Sequence, residues 1–153
     1  MNINLDVITP ENWRSFNMLR VKDEQQNFVP SNSTILARAF AYREYNSKVY
    51  AIYNDNKPIG ILMQYDYKKD DKILCILNEF MIAEQYQGKG YGEAVLKLWI
   101  SKIKKENKYD SILLSYILGN EAAGNLYLKL GFHYTGETDE DEIIMEYDLN
   151  AFL

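Results

Sequence analysis

A chain of 153 residues suits a single domain, residues 1–153, built on one core, and its 47% hydrophobic and 25% charged content is that of an ordinary globular protein. A net charge of −5 sets it against a nucleic-acid backbone as main partner and mildly favours a cationic one. No apolar run nears the roughly 20 residues that span a bilayer, and residues 1–6 carry neither the basic region nor the apolar core of an export signal, so no membrane partner and a cytoplasmic location are expected.

Ile3, Leu5 and Val7 alternate with polar residues, which predicts a half-buried strand. Thr9 as N-cap and Pro10 at the first helical position predict a helix with Trp13, Phe16 and Leu19 on its apolar face. After Pro30, the residues Ile35, Leu36, Ala39 and Phe40 keep the spacing of a second amphipathic helix. The intervening residues 23–29 are polar and acidic and end near an aromatic; a solvated loop and a substrate-facing loop both fit. Residues 49–53 and 58–65 read as two strands joined by the turn residues 54–57, and 68–71 turn the chain again. A strand over 73–83 completes a three-stranded antiparallel meander. Cys75, the only cysteine, lies within an apolar run and reads as a small buried hydrophobe.

That third strand runs into Gln87-Gly88-Lys89-Gly90-Tyr91-Gly92, and an amphipathic helix follows from about Glu93, with Val95, Leu96, Trp99, Ile100 and Ile103 on its apolar side. The first turn of a helix has main-chain N–H groups without intrahelical partners, and glycines allow a ligand close to them. The combination predicts an anion cradle, most often for phosphate. A nucleoside-triphosphate loop needs Gly-Lys-Ser/Thr, and no such pair closes this turn. A dinucleotide fingerprint needs a third glycine where Glu93 stands. Asp110 falls about twenty positions on, as that fingerprint asks, but the turn sits in mid-chain after a meander.

Residues 111–117 form an apolar strand, expected parallel to 73–83 because a helical crossover joins them. Asn120 then caps a short helix over 121–130, ended by Gly131. Two strands follow, one from Phe132 and one over 143–147, about the charged turn 138–142. The order β, two helices, three strands, helix, strand, helix, two strands makes an α+β sandwich around a mixed sheet.

Gln87-Gly88-Lys89-Gly90-Tyr91-Gly92 fits the pattern Gln/Arg-x-x-Gly-x-Gly/Ala, and at this place in the order of elements it resembles the coenzyme A turn of the GNAT superfamily of N-acetyltransferases. A second segment, Asn120 to Phe132 with Tyr127, Gly131 and Phe132 at the family's spacing, strengthens the match. The resemblance covers residues 45–148 well and 1–44 in element order. It implies a mostly antiparallel mixed sheet of about seven strands, flanked by about four helices, whose two central parallel strands splay. Within the superfamily, residues 77–82 before Tyr86-Gln87-Gly88-Lys89-Gly90, and Phe132-His133-Tyr134-Thr135-Gly136-Glu137, are similar to bacterial spermine/spermidine (diamine) acetyltransferases.

The implied reaction is direct attack of a neutral primary amine on the thioester of acetyl-CoA, with no enzyme nucleophile. By resemblance, the main-chain N–H groups of Gly88, Lys89, Gly90, Tyr91 and Gly92 take the pyrophosphate, with Gln87 before them and Glu93 after them on the cofactor side. The backbone of Phe80, Met81 and Ile82 lies along the pantetheine arm, and Asn120 belongs to the cofactor side. A main-chain N–H near Met81 or Ile82 supplies the oxyanion donor. Tyr127 stands at the family's proton donor; its other reading is a plain aromatic on an amphipathic helix. An alkylammonium of pKa near 10 leaves only about one molecule in a thousand reactive at neutral pH. Glu79 is the candidate to take its proton through water or to bind a second ammonium; a solvated strand-end carboxylate is its other reading. His133 is a weaker candidate base, and no metal ligands stand out. The expected substrate is a polyamine. An aminoglycoside-type amine, a protein N-terminus or lysine, and a non-catalytic acyl-CoA-binding domain stay open. A homodimer is compatible with the family and with the 13 tyrosines.

Overall fold

The structure, a computed structural model, describes residues 1–150. Its order is β1 (Ile3–Val7), α1 (Trp13–Asn17), α2 (Asn32–Ala41), β2 (Lys48–Asn54), β3 (Lys57–Lys69), β4 (Lys72–Ile82), α3 (Tyr91–Glu106), β5 (Ser111–Ile117), α4 (Glu121–Leu130), β6 (His133–Asp139) and β7 (Glu142–Asp148). The seven strands form one sheet in the order β1-β2-β3-β4-β5-β7-β6. Only β4 and β5 run parallel among its neighbouring pairs. This is the expected α+β architecture.

Local chemistry accounts for the turns. Each of the hairpins β2–β3, β3–β4 and β6–β7 reverses on an acidic residue in the left-handed region, Asp55, Asp70 and Glu140 with φ of 53°, 55° and 54°. Aspartate tolerates this conformation better than most residues, which suits Asp55 and Asp70. Asn120 caps α4, its Oδ1 accepting from Ala123 N at 3.4 Å. Ser31 caps α2, accepting from Thr34 N at 3.2 Å.

The sheet separates two apolar layers. Under α3 and α4 lie Ile52, Leu62, Cys75, Leu77, Val95, Trp99, Ile103 and Ile112. Under α1 and α2 lie Phe16, Ile35, Ala51, Ile61, Met63 and Met81. Burial of this kind contributes about 25 cal/mol per Å² of apolar surface, so both faces stabilise the sheet that carries the site.

The first helix is shorter than expected. Thr9 and Asn12 exchange hydrogen bonds, Thr9 N to Asn12 Oδ1 at 2.7 Å and Asn12 N to Thr9 Oγ1 at 3.2 Å, and Trp13 N donates to Thr9 O at 3.1 Å, so Thr9 caps the turn that leads into the helix. The helix itself spans only Trp13–Asn17. So short an element buries one side, Phe16, and leaves Trp13 at the surface. Phe40 is likewise exposed, with the Arg43 guanidinium carbon 4.4 Å above its ring. The third helix starts two residues earlier than expected, at Tyr91. Among the described residues no helix is long and apolar enough to cross a membrane.

Candidate active site

The two parallel strands pair only from Leu74↔Ser111 to Leu77↔Leu114. Beyond that point β4 continues to Ile82 and β5 to Ile117 without pairing to each other, so the sheet opens between them. At the same place the β3–β4 register slips. Met63 pairs with Glu79 and Gln64 with Leu77, which leaves Asn78 as the extra residue of a β-bulge.

The bulge changes which face each side chain takes. Side chains alternate along a strand, so Glu79 would otherwise follow Cys75 and Leu77 into the apolar layer under α3 and α4. With one residue inserted, Phe80 and Ile82 face that layer and Met81 the other. Glu79 turns to the α2 side, where Arg38 Nη1 lies 2.7 Å from its Oε1 and 3.3 Å from Asn78 Oδ1. The Glu79 side chain is 17% exposed, which is incompatible with a solvated strand-end carboxylate.

The main chain after the bulge also has a direction. Ala83 N donates to Ile59 O at 2.8 Å across to β3. Alternation along an antiparallel ladder then directs Met81 to β3 as well, and turns the N–H and C=O of Phe80 and Ile82 to the open edge. Of the two expected oxyanion donors, Met81 N–H is therefore committed to the sheet and Ile82 N–H is the one that faces the gap.

A cavity of about 320 Å³ occupies this opening. Gly88, Gly90, Tyr91 and Gly92 border it at one part of the wall, and Glu79, Phe80, Met81 and Ile82 at another. Asn120, Leu126 and Tyr127 of the α4 region face it too, as does the Gln87 side chain. Lys89 and Glu93 do not border it. Lys89 Nζ donates to Gln85 O at 3.0 Å, and the Glu93 carboxylate lies 2.9 Å from both Lys97 Nζ and Lys129 Nζ. Those two lysines hold its carboxyl below the usual range. Both side chains are thus engaged outside the cavity, Lys89 on the main chain of Gln85 and Glu93 between lysines of α3 and α4.

The glycine turn fits a pyrophosphate. Gly88 and Gly90 have φ of 72° and 86°, where a side chain is strained, and a Cβ on Gly88 would meet no atom within 4 Å. No side chain caps α3, so the N–H groups of its first turn are available at the cavity, and its dipole is positive there. Gln87 braces the turn from the side, because its Nε2 donates to Ile82 O and Gln25 Oε1, each at 2.8 Å. Asn120 is at the cavity wall, with its side chain engaged as the α4 cap.

Tyr127 is 9% exposed, between Phe132 and Tyr116 at ring distances of 5.8 and 6.1 Å. Burial first, and the Glu79 charge second, push its phenol above the ordinary value, so it stays protonated and can donate. Glu79 is held at about 7 against an ordinary 4.5: burial raises it, Arg38 offsets part of that, and Glu142 raises it further. A carboxyl near 7 can exchange a proton at neutral pH. His133 lies on β6, exposed, with Nε2 3.7 Å from Glu146 Oε1. Among the described residues no cluster of His, Cys, Asp and Glu is placed to hold a metal ion.

Two residues in or beside the site escaped the sequence reading. Arg38 is one basic residue on an amphipathic helix, and nothing in its spacing marks it. Glu142, within the charged turn 138–142 of the sequence reading, borders the cavity from the start of β7. The 23–29 segment divides between its two readings: Asp23 and Glu24 are exposed, while Gln25, Phe28 and Val29 border the cavity.

Known proteins match both sequence and fold. Residues 45–134 match the family model described as an acetyltransferase (GNAT) domain. The spermine/spermidine N(1)-acetyltransferase of Bacillus subtilis (strain 168) is 32% identical over 143 residues, covering 91% of this chain and 93% of the relative. The solved structure of AAC(6')-Ib in complex with ribostamycin and coenzyme A superposes with a TM-score of 0.82 at 16% identity, covering 99% of this chain and 96% of that one. Spermidine N-acetyltransferase from Vibrio cholerae, in complex with CoA and spermine, gives 0.78 at 15% identity, covering 97% and 96%. A splayed parallel pair beside an uncapped glycine turn, a matching family model and a relative alike over most of its length all agree: the chain belongs to the GNAT family of N-acetyltransferases.

Proposed function

We propose that this chain transfers the acetyl group of acetyl-CoA directly to a primary amine of a small polyamine such as spermidine or spermine. The observation that carries the reading is one cavity bordered by the glycine cradle, by Tyr127 and by two carboxylates, Glu79 and Glu142. Acetyl-CoA supplies an activated thioester. Main-chain N–H groups from Gly88 to Gly92 bind its pyrophosphate, and the open edge of β4 at Phe80 and Ile82 takes the pantetheine arm as an added strand would.

In the step itself, the amine nitrogen forms a bond to the carbonyl carbon and the carbon–sulfur bond breaks. Glu79 accepts the amine proton through water. Ile82 N–H donates to the oxygen that gains charge. Tyr127 donates to the leaving sulfur. Because burial raises its phenol above the usual value near 10, while a simple thiol lies near 8.5, complete transfer of the Tyr127 proton is uphill by more than about 2 kcal/mol. A hydrogen bond to the thiolate, with the final proton coming from solvent, is the role that fits.

The second carboxylate supports a polyamine over a monoamine. Glu79 and Glu142 border the same space and repel each other, so a second ammonium there relieves the repulsion. A net charge of −5 favours the same substrate class, as does the name of the Bacillus relative.

The test is thiol release from acetyl-CoA with spermine, spermidine, a monoamine of similar length, an aminoglycoside and a peptide N-terminus. A charge-assisted contact is worth about 1.5–3 kcal/mol, so kcat/KM for the polyamines should exceed that of the monoamine by roughly tenfold to a hundredfold. Equal use of the monoamine, or a far better peptide, sinks the polyamine assignment. No thiol release with any amine leaves an acyl-CoA-binding domain.

A further inference from the structure

The bulge at Asn78 and the residue after it are held by a single guanidinium nitrogen from another layer of the fold. Arg38 Nη1 donates to Glu79 Oε1 at 2.7 Å and to Asn78 Oδ1 at 3.3 Å. The ion pair engages one carboxylate oxygen and leaves Oε2 for another partner. From these contacts we infer that Arg38 is a positioning residue for acetyl transfer, which keeps the Glu79 carboxylate ionised and turned to the amine. The inference rests on the reading of Glu79 as the group that meets the amine.

The physical argument is a competition among the groups around Glu79. Burial disfavours its ionised form, and Glu142 at the start of β7 adds a like charge. The Tyr127 phenol on α4 is neutral and offsets neither. On the α2 side, Arg38 is the positive group acting on Glu79, with the neutral phenol of Tyr65 near Arg38. Without Arg38 the carboxyl would take up a proton at neutral pH and could no longer accept one from the amine. The guanidinium also fixes orientation, because its contact with Asn78 ties the carboxylate to the bulge that placed it. Its side chain is 34% exposed and does not border the cavity, so it acts on Glu79 from outside the substrate's place.

The experiment compares kcat/KM for spermidine, at saturating acetyl-CoA, from about pH 5.5 to 9 in wild type, Arg38→Lys, Arg38→Gln and Glu79→Gln. Ionisation of the amine affects every variant alike, so differences between profiles report the enzyme. Wild type should show an acid limb near 7. An opposite charge within about 4–6 Å moves a carboxyl by about 1–3 units, so Arg38→Gln should move the limb up by about one unit and regain part of its rate at high pH. Arg38→Lys should fall between. Glu79→Gln should lose the limb. Coenzyme A affinity and Tm serve as controls; if Arg38→Gln does not fold, the Arg38→Lys profile decides. An unmoved limb in the folded Arg38 variants, with the limb lost in Glu79→Gln, overturns the role of Arg38 and leaves that of Glu79 standing. A Glu79→Gln enzyme with wild-type rate and profile overturns both.

Discussion

The side-chain amide of Gln87 donates to the main-chain oxygen of Ile82 at 2.8 Å, which ties the start of the glycine turn to the last residue of β4. The glycine turn and the open edge of β4 are thereby held in one geometry. A second donation from the same nitrogen to Gln25 Oε1 adds the 23–29 segment to the unit.

Two substitutions test the cradle. Gly90→Glu puts a side chain at φ 86° and a negative charge at the N-terminus of α3, so it should abolish coenzyme A binding. Gln87→Ala should weaken binding by about tenfold, since each lost hydrogen bond contributes roughly 0.5–1.5 kcal/mol to the geometry of the turn. Calorimetric titration, on variants that melt as the wild type does, reads both. Equal affinity in all three proteins would place the pyrophosphate elsewhere.

Tyr127→Phe keeps the ring contacts with Phe132 and Tyr116 and removes the hydroxyl. Coenzyme A affinity and Tm should change little. General-acid groups typically contribute about 10²–10⁴-fold, and a donor that only stabilises the thiolate belongs at the lower end. Single-turnover rates should therefore fall by about a hundredfold, with KM for acetyl-CoA nearly constant. A wild-type single-turnover rate would make Tyr127 a packing residue, with the thiolate leaving unaided.

Glu79 should cost stability at alkaline pH. Its carboxyl is held at about 7 in the fold against 4.5 ordinarily, so the folded state binds this proton more tightly than the unfolded state. The stability from this group is thus full below about 4.5 and is lost as pH rises through 7. At about pH 8 the ionised group is buried, and Glu79→Gln should be the more stable protein by about 3 kcal/mol, the Arg38 pair being already counted in the value near 7. Near pH 5 the difference should shrink. Urea unfolding at both pH values measures it, and a destabilised variant at pH 8 would mean that the ion pair outweighs burial.

Much of this fold is written in short-range chemistry. The turns at Asp55 and Asp70, the caps at Ser31 and Asn120, and the uncapped start of α3 at Gly90 each depend on residues within a few positions of one another. A side chain that closes a turn or caps a helix acts on its own neighbourhood, so the amino-acid order alone specifies it. The α/β order, the parallel crossover and the cradle follow from such elements and from apolar periodicity. The first helix shows where this stops: Thr9 and Asn12 form its start locally, but the helix ends at Asn17, before Leu19 of the expected apolar face.

Placement of the chemistry required the folded sheet. Arg38 and Glu79 are 41 residues apart, and they meet only because a bulge at Asn78 reverses the alternation of β4. A one-residue register slip leaves no local trace: every residue from Ile76 to Ile82 is compatible with a strand whether or not it is bulged. It nevertheless decides which face carries the carboxylate and which N–H groups face the gap. Glu142 reaches the cavity because β7 pairs with β5 and β6. Side-chain direction is set by pairing with distant strands and by the layer a helix packs against, and those long-range contacts exist only once the chain has closed on itself.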